Sequence, residues 1–503
     1  MTSCRDLERA VREGLEAAGN AREVAGAEVF ASENASWIAR LNYTSHIPSN
    51  GVEEPKSLML HGVGVRAIFK TKDGDALLGF GSEACDLSVE GVLRALEKAR
   101  VNAVADPDFR DFPHPPPGSK ASTINDDEKL DTLGDKAFVD LAWKTLGGSV
   151  ETFSSSGVLN TVIIGGDLSL VSERMAIANT RGVFASDRSA LLSASVTAMI
   201  EREHAKGSGW TCASCLDAFR PEEAGREAAL AAVAARGGKR TTSGRFPVIF
   251  GPQAVADLLN HLIVPSLALT AFYESASPFM GRWGEIIADP RVRISDDGTL
   301  PDAMGTKRVT CEGVPTGRTE LVRDGRLVGL LSDAYSVQKC LADPEAVEKL
   351  GRKPDDHMFE AGNGFRYGQG GGRRFDRPPS IAPTNLLIES SHPEPRETLL
   401  SRVGDGLYIG RIWYTYPING LAAGDFTTTV VGDSFLIRNG KIVAPLLPNT
   451  VRINDNIKAV LMKMIGMTER FRPTILWASD EVFFAPEIAV SDLRLDDIAG
   501  PSA

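Results

Sequence analysis

The histidines decide whether this chain can build the helix of a zinc hydrolase. Such a helix carries two histidines on one face, with a carboxylate that takes a proton from the zinc-bound water. The histidines are His46, His61, His114, His204, His261, His357 and His392. None of them is followed by Glu, so neither His-Glu-x-x-His nor His-Glu-x-x-x-His occurs. His261, in the apolar segment "LLNHLIVP", is predicted to be a packed or surface histidine.

The segment "WTCASCLDAF" contains a Cys-x-x-Cys pair, Cys212 and Cys215, shortly after His204. A structural zinc site needs four ligands, and only three candidates are close in sequence. A redox role needs the pair at the start of a helix in a thioredoxin-like unit, which the sequence does not indicate. We expect two incidental thiols, while a metal site of His204, Cys212 and Cys215 stays open as an alternative.

The remaining cysteines are scattered along the chain, at Cys4, Cys85, Cys311 and Cys340. Cysteines spaced in this way do not form the disulfide framework of a small secreted protein. The cysteine pattern therefore favours a reducing cytoplasm.

Two glycine-rich stretches partly match ligand-binding loops. The motif Gly-x-Gly-x-x-Ala at residues 62–67 is a loose match to the dinucleotide fingerprint, but a strand and hairpin follow it instead of the required helix. A nucleotide site is therefore not predicted there. The run "GNGFRYGQGGGRRF", residues 362–375, is predicted to be a mobile loop. Alternatively, it wraps a ligand and supplies Arg373 and Arg374 to a carboxylate or phosphate.

The elements that must position these residues form an N-terminal α/β part and a C-terminal part rich in strands. Residues 1–105 are predicted to be an α/β domain, and the prolines of residues 106–123 predict a linker or loop. Residues 124–240 are predicted to form a middle α/β domain with β-hairpins. Asp-Gly and Asn-Gly turns in "VRDGRLVG" and "IRNGKIV" predict tight hairpins in a β-rich domain, residues 241–503. The predicted fold class is α+β, with N-terminal α/β layers followed by a large β-rich C-terminal domain.

Charge and hydropathy limit the partners of this chain. The net charge of -11 argues against sequence-independent nucleic-acid binding, which needs clustered Lys and Arg. The longest apolar run, residues 258–273, is interrupted by Asn260, His261 and Pro265 and is too short to span a membrane. The N-terminal segment is charged and amphipathic, unlike a signal peptide. We therefore expect a soluble cytoplasmic protein without nucleic-acid or membrane partners.

Long segments in all parts of the chain resemble the TldD/PmbA family, also called TldD/TldE, the modulator-of-gyrase peptidases. They include "GVGVRAIFKTKDGDALLGFGS", "NTRGVFASDRSALLSASV", "FPVIFGPQAVADLLNHL", "AGNGFRYGQGGGRRFDRPPSIAPTNLLIE" and "GLYIGRIWYTYPINGLAAGDFTTTVVGDSFLIRNGKIVAPL". Their order and spacing together carry the resemblance. It implies a fold of the TldD/PmbA type and a complex of two kinds of subunit that cuts unfolded peptides inside a closed chamber.

In this family, TldD-type subunits carry a zinc-binding His-Glu-x-x-x-His helix and TldE (PmbA) subunits lack it. Position by position, the first His corresponds to Asn260, the Glu to His261 and the last His to Pro265. The additional cysteine ligand near the C-terminus of TldD-type subunits has no counterpart, since the last cysteine is Cys340. The resemblance therefore implies a TldE-type subunit without catalytic residues or a metal of its own, and zinc in a TldD-type partner.

The implied assembly is a heterodimer, or a larger complex, of this chain with a TldD-type metallopeptidase subunit; a homodimer is also possible. The implied substrates are unfolded peptides, leader peptides or natural-product intermediates. Three segments depart from the family pattern: "VTCEGVP", with Cys311 in an acidic position, the aromatic "RIWYTYPING", and the Cys-x-x-Cys loop, which is an addition. These departures indicate a specialised substrate.

Residues of two loops are predicted to bind substrate: Asn363 and Arg366 in "AGNGFRYG", and Asn419, Gly420, Gly424 and Asp425 in "NGLAAGDF". A strand edge is predicted to pair with the peptide backbone. The alternative for the loop residues is turn chemistry, since Gly and Asn tolerate the positive φ of tight turns. Two other functions stay open: an independently active hydrolase that uses a metal or the thiol of Cys311, and a homodimeric peptide-binding protein.

Overall fold

A computed structural model describes most of the chain. The described residues are 3–21, 23–47, 50–71, 76–115, 128–301, 303–355, 357–368, 371–476 and 482–498. The predicted Pro-rich linker, residues 106–123, is described only as far as residue 115, and the rest of it lies outside the described residues.

The first half of the chain builds one antiparallel sheet, the N-terminal sheet. Its strands are β1 (Val24–Thr44), β2 (Gly51–Val52), β3 (Lys56–Lys70), β4 (Ala76–Ala84), β5 (Val104–Ala105), β6 (Val162–Asn179), β7 (Phe184–Ile200) and β8 (Ala205–Ala213). The strand order is β5-β4-β3-β1-β6-β7-β8, and β2 pairs with β1. The alternating pattern within residues 124–240 predicts β-hairpins, and β6, β7 and β8 do form two consecutive antiparallel pairs there.

Strand β1 joins the two parts of this sheet. It pairs with β3 on one side and with β6 on the other, from Glu28 opposite Asn179 to Thr44 opposite Ile163. The predicted boundary between residues 1–105 and 124–240 therefore does not separate two sheets. As a division into domains it stays a prediction.

Helices cover one face of the N-terminal sheet. They are α1 (Cys4–Gly19), α2 (Val89–Val101), α3 (Glu128–Asp131), α4 (Asp135–Ser155) and α5 (Pro221–Ala234). Helices α1 and α2 pack on one half of the sheet, over Val29 and Val65, and α4 and α5 on the other half, over Leu41 and Ile164. Because successive strand residues point to opposite faces, the intervening residues of β1 point away from the helices, towards the rest of the chain.

The second half of the chain builds a larger sheet. Its strands are β9 (Gly244–Phe250), β10 (Val292–Asp297), β11 (Arg318–Arg323), β12 (Arg326–Leu327), β15 (Asn385–Ser390), β16 (Gly406–Pro417), β17 (Asp425–Arg438), β18 (Lys441–Pro445), β19 (Val451–Asn456), β20 (Met464–Thr474) and β21 (Val482–Asp497), and the short pair β13 (Gly364–Phe365) and β14 (Ser380–Ile381) lies apart from it. Strand β9 pairs with both β16 and β21, so β9, β16, β17, β19 and β21 close into a ring.

The helices of this half are short. They are α6 (Pro252–Leu258), α7 (Val264–Ser266), α8 (Leu269–Tyr273), α9 (Ala334–Ala342), α10 (Ala346–Leu350), α11 (Arg396–Val403) and α12 (Ile457–Met462), and a π-helical turn (Leu259–Ile263) joins α6 to α7. Helix α6 follows β9 directly and packs against β16 and β21. The apolar residues of α6 and the π turn join Phe250 in the largest core of the protein.

The predicted tight hairpins are confirmed. Asp324 and Gly325 connect β11 to β12 with φ of 50° and 75°, and Asn439 and Gly440 connect β17 to β18 with φ of 50° and 70°. Positive φ at both central residues is the geometry for which Asp-Gly and Asn-Gly are preferred. The α+β fold class, with helical layers first and a large β-rich part second, is also confirmed.

None of the helices in the described residues is both long enough and apolar enough to cross a membrane.

Candidate functional site

A groove runs between the helix-free face of the N-terminal sheet and the C-terminal half. It consists of three cavities of about 320, 200 and 250 Å³. The first and second cavities share Asp167, Ser195 and Trp210 in their walls. The second and third share Arg411 and Trp413, among others. Shared walls join the three spaces into one elongated groove, which is the candidate functional site.

The floor of the groove is polar because of the strand register. Ser169 of β6 lies opposite Ser193 of β7, and the two hydroxyl oxygens are 2.7 Å apart. In the next row of the same face, Asp167 lies opposite Ser195, which in turn lies opposite Trp210 of β8. The alternating apolar residues of β6 and β7 point to the helices. A half-buried sheet face lined by hydroxyls can form hydrogen bonds with the backbone of an extended peptide.

Buried ion pairs close one end of the groove. The Lys307 ammonium is 2.7 Å from the carboxylate of Glu173, and the Arg373 guanidinium is 2.8 Å from that of Asp187. Burial alone would raise the pKa of Glu173, but Arg373 and Lys307 lower it to about 2. Glu173 also accepts a hydrogen bond from the hydroxyl of Ser189. These pairs connect the N-terminal sheet, which forms the floor of the groove, to loops of the C-terminal half, which form its wall.

A second buried charge cluster joins the two halves farther along the same sheet face. The Glu28 carboxylate is 2.8 Å from the guanidinium groups of both Arg66 and Arg366. Arg66 is also 3.5 Å from Glu312, whose pKa is raised to about 7 by burial and by the nearby Asp333. Both clusters consist of side chains from segments far apart in sequence, which explains why no local motif predicted them.

The glycine motif at residues 62–67 allows a loop of the C-terminal half to pack directly on strand β3. It lies in the middle of β3, where a Cβ atom on Gly64 would lie 2.2 Å from the carbonyl oxygen of Phe375. A Cβ on Gly62 would collide with the ring of Phe375 at 2.7 Å. As predicted, a strand and hairpin, and not a helix, follow the motif. Glycine is needed here because the loop that contains Phe375 lies directly on the strand.

The prediction of a mobile loop at residues 362–375 is wrong for its described residues. Arg373 is fully buried, and its ion pairs with Glu173 and Asp187 take the place of the carboxylate or phosphate ligand considered for it. Arg374 donates a hydrogen bond of 2.9 Å to Asp376. The loop is held because its charged side chains find partners on the sheet, which its glycine-rich composition did not reveal.

The predicted substrate-binding residues fall into two separate groups. Asn363 and Arg366 are buried, with 1% and 0% of their surface exposed. The amide of Asn363 donates a hydrogen bond of 2.7 Å to Asp296, and Arg366 pairs with Glu28. In this structure neither side chain is accessible to a peptide. A substrate-binding role for the two residues stays a prediction.

The other four predicted residues lie in the connection between β16 and β17. Asn419, Gly420 and Gly424 have φ of 60°, 83° and 79°, as turn chemistry requires. Asp425 accepts a hydrogen bond of 2.9 Å from the amide of Asn456. None of the four contributes to the walls of the three cavities of the groove, and their role in binding substrate stays a prediction.

Helix α6 lies beside the far end of the groove. Its Gln253 lines the second cavity and accepts a hydrogen bond of 3.2 Å from the amide of Ile412. One turn on, Asp257 is buried, which raises the pKa of its carboxyl group. The Nδ1 atom of His261 lies 3.0 Å from the carbonyl oxygen of Asp257, and the His261 side chain is 42% exposed. His261 is thus a partly exposed histidine with a partner in its own helix.

Arg411 of β16 and Asp433 of β17 lie on neighbouring strands and line the third cavity at this end of the groove. Burial lowers the pKa of Arg411, whose guanidinium donates a hydrogen bond of 3.2 Å to the hydroxyl of Thr197. Burial likewise raises the pKa of Asp433 to about 6, and its carboxylate accepts a hydrogen bond from the hydroxyl of Ser208. Trp413, from the aromatic segment that departs from the family pattern, lines both neighbouring cavities. The structure therefore brings part of that segment to the groove.

The structure separates His204 from Cys212. His204 immediately precedes β8, and Cys212 is the eighth residue along that strand, which places the two residues roughly 26 Å apart. The alternative of a metal site that contains His204, Cys212 and Cys215 is therefore wrong. Within the described residues, no group of three or more His, Cys, Asp or Glu side chains is arranged to hold a metal ion. Burial raises the pKa of Cys212 to about 12.

Cys311 is a poor nucleophile in this environment. It is fully buried, and burial raises the pKa of its thiol to about 12. A nucleophilic cysteine needs a lowered pKa and access to substrate. All six cysteines are free thiols.

The polar groove floor was not identified from the sequence. Asp167 of "GGDLSLVSE" lies in register with Ser195 of "RSALLSASVT", and Thr197 follows Ser195 by two residues. In both segments, hydroxyl or acidic residues alternate with apolar ones, which is the sequence pattern that could have indicated the floor. This pattern also occurs on any solvated sheet face, so it identifies a groove only when another part of the chain covers that face.

Comparisons with known proteins place the chain in a family. Models of the PmbA/TldA metallopeptidases match it over residues 149–236, the central domain, and over residues 243–497, the C-terminal domain. The chain therefore belongs to the PmbA/TldA metallopeptidase family, which is the TldD/PmbA family.

Relatives with sequence similarity include both kinds of family member. An uncharacterized protein of Methanocaldococcus jannaschii is 24% identical over 383 residues, which cover 76% of this chain and 79% of that protein. A metalloprotease TldD homolog of Haemophilus influenzae is 28% identical over 187 residues, 35% of this chain and 39% of the relative. Metalloprotease PmbA of Escherichia coli O157:H7 is 24% identical over 244 residues, 48% of this chain and 45% of the relative. The chain thus matches less than half the length of these two named metalloproteases.

Solved structures share the whole fold. TldE from Thermococcus kodakarensis has a TM-score of 0.77 and 17% identity, with 98% of this chain and 100% of that chain covered. A modulator of DNA gyrase from Thermotoga maritima has a TM-score of 0.72 and 21% identity, with 96% and 98% covered. At these identities the likeness establishes the fold.

Proposed function

We propose that this chain is the TldE/PmbA-type, non-catalytic subunit of a TldD/TldE metallopeptidase complex, and that it binds an extended peptide in its groove. The observation that carries the proposal is the composition of the segment at the family's zinc-helix position. Asn260, His261 and Pro265 stand where a TldD-type subunit has His, Glu and His. Residues 260–265 lie in the π turn and the start of α7, directly after helix α6, whose Gln253 lines the groove.

The donors in this segment do not fit a zinc ion. Proline offers no side-chain ligand, and the Nδ1 atom of His261 lies within hydrogen-bond distance of its own helix backbone. The nearest carboxylate, that of Asp257, is buried with only 3% of its surface exposed. A hydrolytic zinc site needs about three protein ligands and an open position for water. A TldD-type partner would therefore supply the zinc and the activated water.

The groove supports a role in holding substrate. Its length across several strands and its hydroxyl-lined floor suit an extended backbone, which offers donors and acceptors at regular spacing. Folded proteins do not present such a backbone. The substrate class is therefore an unfolded peptide, a leader peptide or a peptide-derived natural-product intermediate, handled in the cytoplasm.

The test is metal analysis together with peptidase assays. The chain is purified alone, and also co-expressed with a TldD-type subunit, and zinc is measured by mass spectrometry after dialysis. We expect less than about a tenth of a zinc ion per chain alone and about one per co-purified pair, because only the partner has a complete ligand set. Hydrolysis of an unfolded peptide should require both chains.

Two outcomes would contradict the proposal. A full equivalent of zinc in the lone chain, with peptidase activity that is lost on chelation, would support an independently active hydrolase. A stable homodimer that binds peptides and does not associate with a TldD-type subunit would support a homodimeric binding protein. The separation of His204 from Cys212 and the burial of Cys311 weigh against the first of these.

A further inference from the structure

Asp167 is an unpaired carboxylate on the floor of the groove. It lies in β6, lines the first and second cavities, and is half-buried. Within the described part of the chain it forms no hydrogen bond through its side chain and no ion pair. Burial raises the pKa of the Asp167 carboxyl overall, while Arg40, an exposed residue opposite it in β1, lowers that pKa through its charge but forms no ion pair with it among these residues. A partly desolvated carboxylate without a directly contacting cation costs free energy that a cationic ligand would recover.

The other acidic side chains of this sheet face are neutralised. Glu28 pairs with Arg66 and Arg366, and Asp187 pairs with Arg308 and Arg373. Among the acidic residues that the structure describes on this sheet face, Asp167 is the one without an ion pair, so its carboxylate can bind a cation from outside the chain.

The cation that pairs with Glu173 is too far away to neutralise Asp167. Glu173 lies on the same strand as Asp167 and pairs with Lys307. Six residues separate the two acids, which corresponds to roughly 20 Å along an extended strand. The Lys307 ammonium, which stays at the Glu173 end, therefore cannot neutralise Asp167.

The surroundings of Asp167 suit a long cationic side chain. The hydroxyl of Ser195 lies directly opposite it on β7 and can accept a hydrogen bond from an ammonium or guanidinium group. The walls of the first cavity include the apolar side chains of Met304, Ile475 and Leu476 together with the ring of Trp210. Such walls pack against the methylene stem of Lys or Arg while the charged end reaches the acid.

We propose that Asp167 forms a subsite that binds a Lys or Arg side chain of the peptide substrate. This inference rests on the proposed function, since it assumes that a peptide occupies the groove. It adds a substrate class: peptides with a basic residue at the position that lies over β6 and β7.

The test is peptide binding by the chain, alone and in its complex with a TldD-type subunit. The probes are short, unstructured, fluorescein-labelled peptides with acetylated N-termini and amidated C-termini, which differ only at one central residue: Lys, Arg, Gln or Glu. Fluorescence anisotropy is expected to show binding of the Lys and Arg peptides about tenfold tighter than that of the Gln peptide. Asp167→Asn should reduce this preference to less than about twofold, and Asp167→Glu should restore part of it.

Glu151→Gln provides the matched control. Glu151 is an exposed acid on α4, on the helix-covered side of the sheet, so its loss changes the net charge equally without touching the groove. The preference for Lys and Arg should be unchanged in this variant.

The possible failures are distinguishable. If Asp167→Asn binds all peptides and keeps the basic preference, the subsite is wrong and the proposed function stands. A further probe is the Gln peptide with a free N-terminus; if only this peptide gains affinity from Asp167, the subsite binds an α-amine and the assignment to a side chain is overturned. If neither the chain nor the complex binds any peptide, both the subsite and the proposed peptide-binding role fail.

Discussion

Arg373 connects the C-terminal half of the chain to the N-terminal sheet through its side chain. It is fully buried between Glu173 and Asp187 of the N-terminal sheet, and its backbone carbonyl accepts a hydrogen bond of 2.9 Å from Asn34. A buried ion pair is not by itself strongly stabilising, because desolvation offsets much of the attraction. Removing Arg373, however, leaves two buried carboxylates with one cation fewer, since only Lys307 and Arg308 then remain beside Glu173 and Asp187.

Arg373→Ala is therefore expected to lower the free energy of unfolding by about 3–5 kcal/mol, because Glu173 and Asp187 lose their shared cation. Chemical denaturation followed by tryptophan fluorescence measures the change. Arg352→Ala, which removes an exposed partner of Asp355, should change stability little. Equal effects of the two substitutions would show that the buried cluster does not hold the halves together.

Glu312 makes stability depend on pH near neutrality. Burial and Asp333 raise its pKa from 4.5 to about 7 in the folded chain. Between these values the folded state holds a proton that the unfolded state has lost, so this contribution is complete below about pH 4.5 and is lost as pH rises through about 7. The denaturant concentration at the unfolding midpoint should therefore decrease as pH is raised from about 5 to 7. Glu312→Gln should make this decrease smaller. An unchanged slope in the variant would exclude Glu312 as its source.

At the scale of elements, strand β3 and the loop that contains Phe375 approach too closely for any side chain between them. A Cβ at Gly64 would lie 2.2 Å from a backbone oxygen, which cannot move without shifting the loop. The contrast is Gly147, in the middle of α4, where nothing lies within 4 Å of an added Cβ.

Substitution by alanine should change the stability of the protein in opposite directions at the two glycines. Gly64→Ala is expected to destabilise the protein, because the loop must leave the strand and uncover the buried charges beneath it. Gly147→Ala should stabilise it by up to about 1 kcal/mol, since alanine favours the helix interior. Thermal denaturation of both variants measures the effect, and a neutral Gly64→Ala would show that the loop is not closely docked.

At the scale of the whole molecule, strand β20 closes the groove at the edge of the N-terminal sheet. The guanidinium of Arg472 lies 3.7 Å from the centre of the Trp210 ring and also pairs with Glu227 of α5. The indole nitrogen of Trp210 donates a hydrogen bond of 3.2 Å to the carbonyl oxygen of Pro473. Edge strand β8 is thus covered by a strand of the other half.

Arg472→Ala should loosen this closure without unfolding either half, because its contacts with the N-terminal half are at the periphery, with Trp210 of edge strand β8 and Glu227 of α5. Hydrogen exchange followed by mass spectrometry should show several-fold faster exchange in β8 and β20, with α1 and α2 unchanged. Arg494→Ala, which removes a largely exposed arginine of β21, serves as the control. Faster exchange throughout the chain would instead indicate general destabilisation.

Local features of the fold were predictable because short segments encode them. The Asp-Gly and Asn-Gly turns at Asp324 and Asn439 fix hairpins within a few residues, and the apolar periodicity of residues 4–19 defines the first helix. The candidate site was less predictable. The loop motif predicts that Asn363 and Arg366 bind substrate, but the structure buries both side chains against other parts of the chain.

Short segments of the chain encode the types of the elements, the tight turns and the family resemblance, including the residues at the zinc-helix position. The packing of distant segments makes Arg373 an internal counter-ion, makes Gly64 the place where a loop lies on a strand, and leaves Asp167 in a groove without a contacting cation. The two sets of features differ in how far apart in sequence the interacting residues are. Turns and periodicity depend on neighbours in sequence, whereas burial and charge pairing depend on segments as far apart as Glu28 and Arg366, which meet only when two halves of the chain pack together.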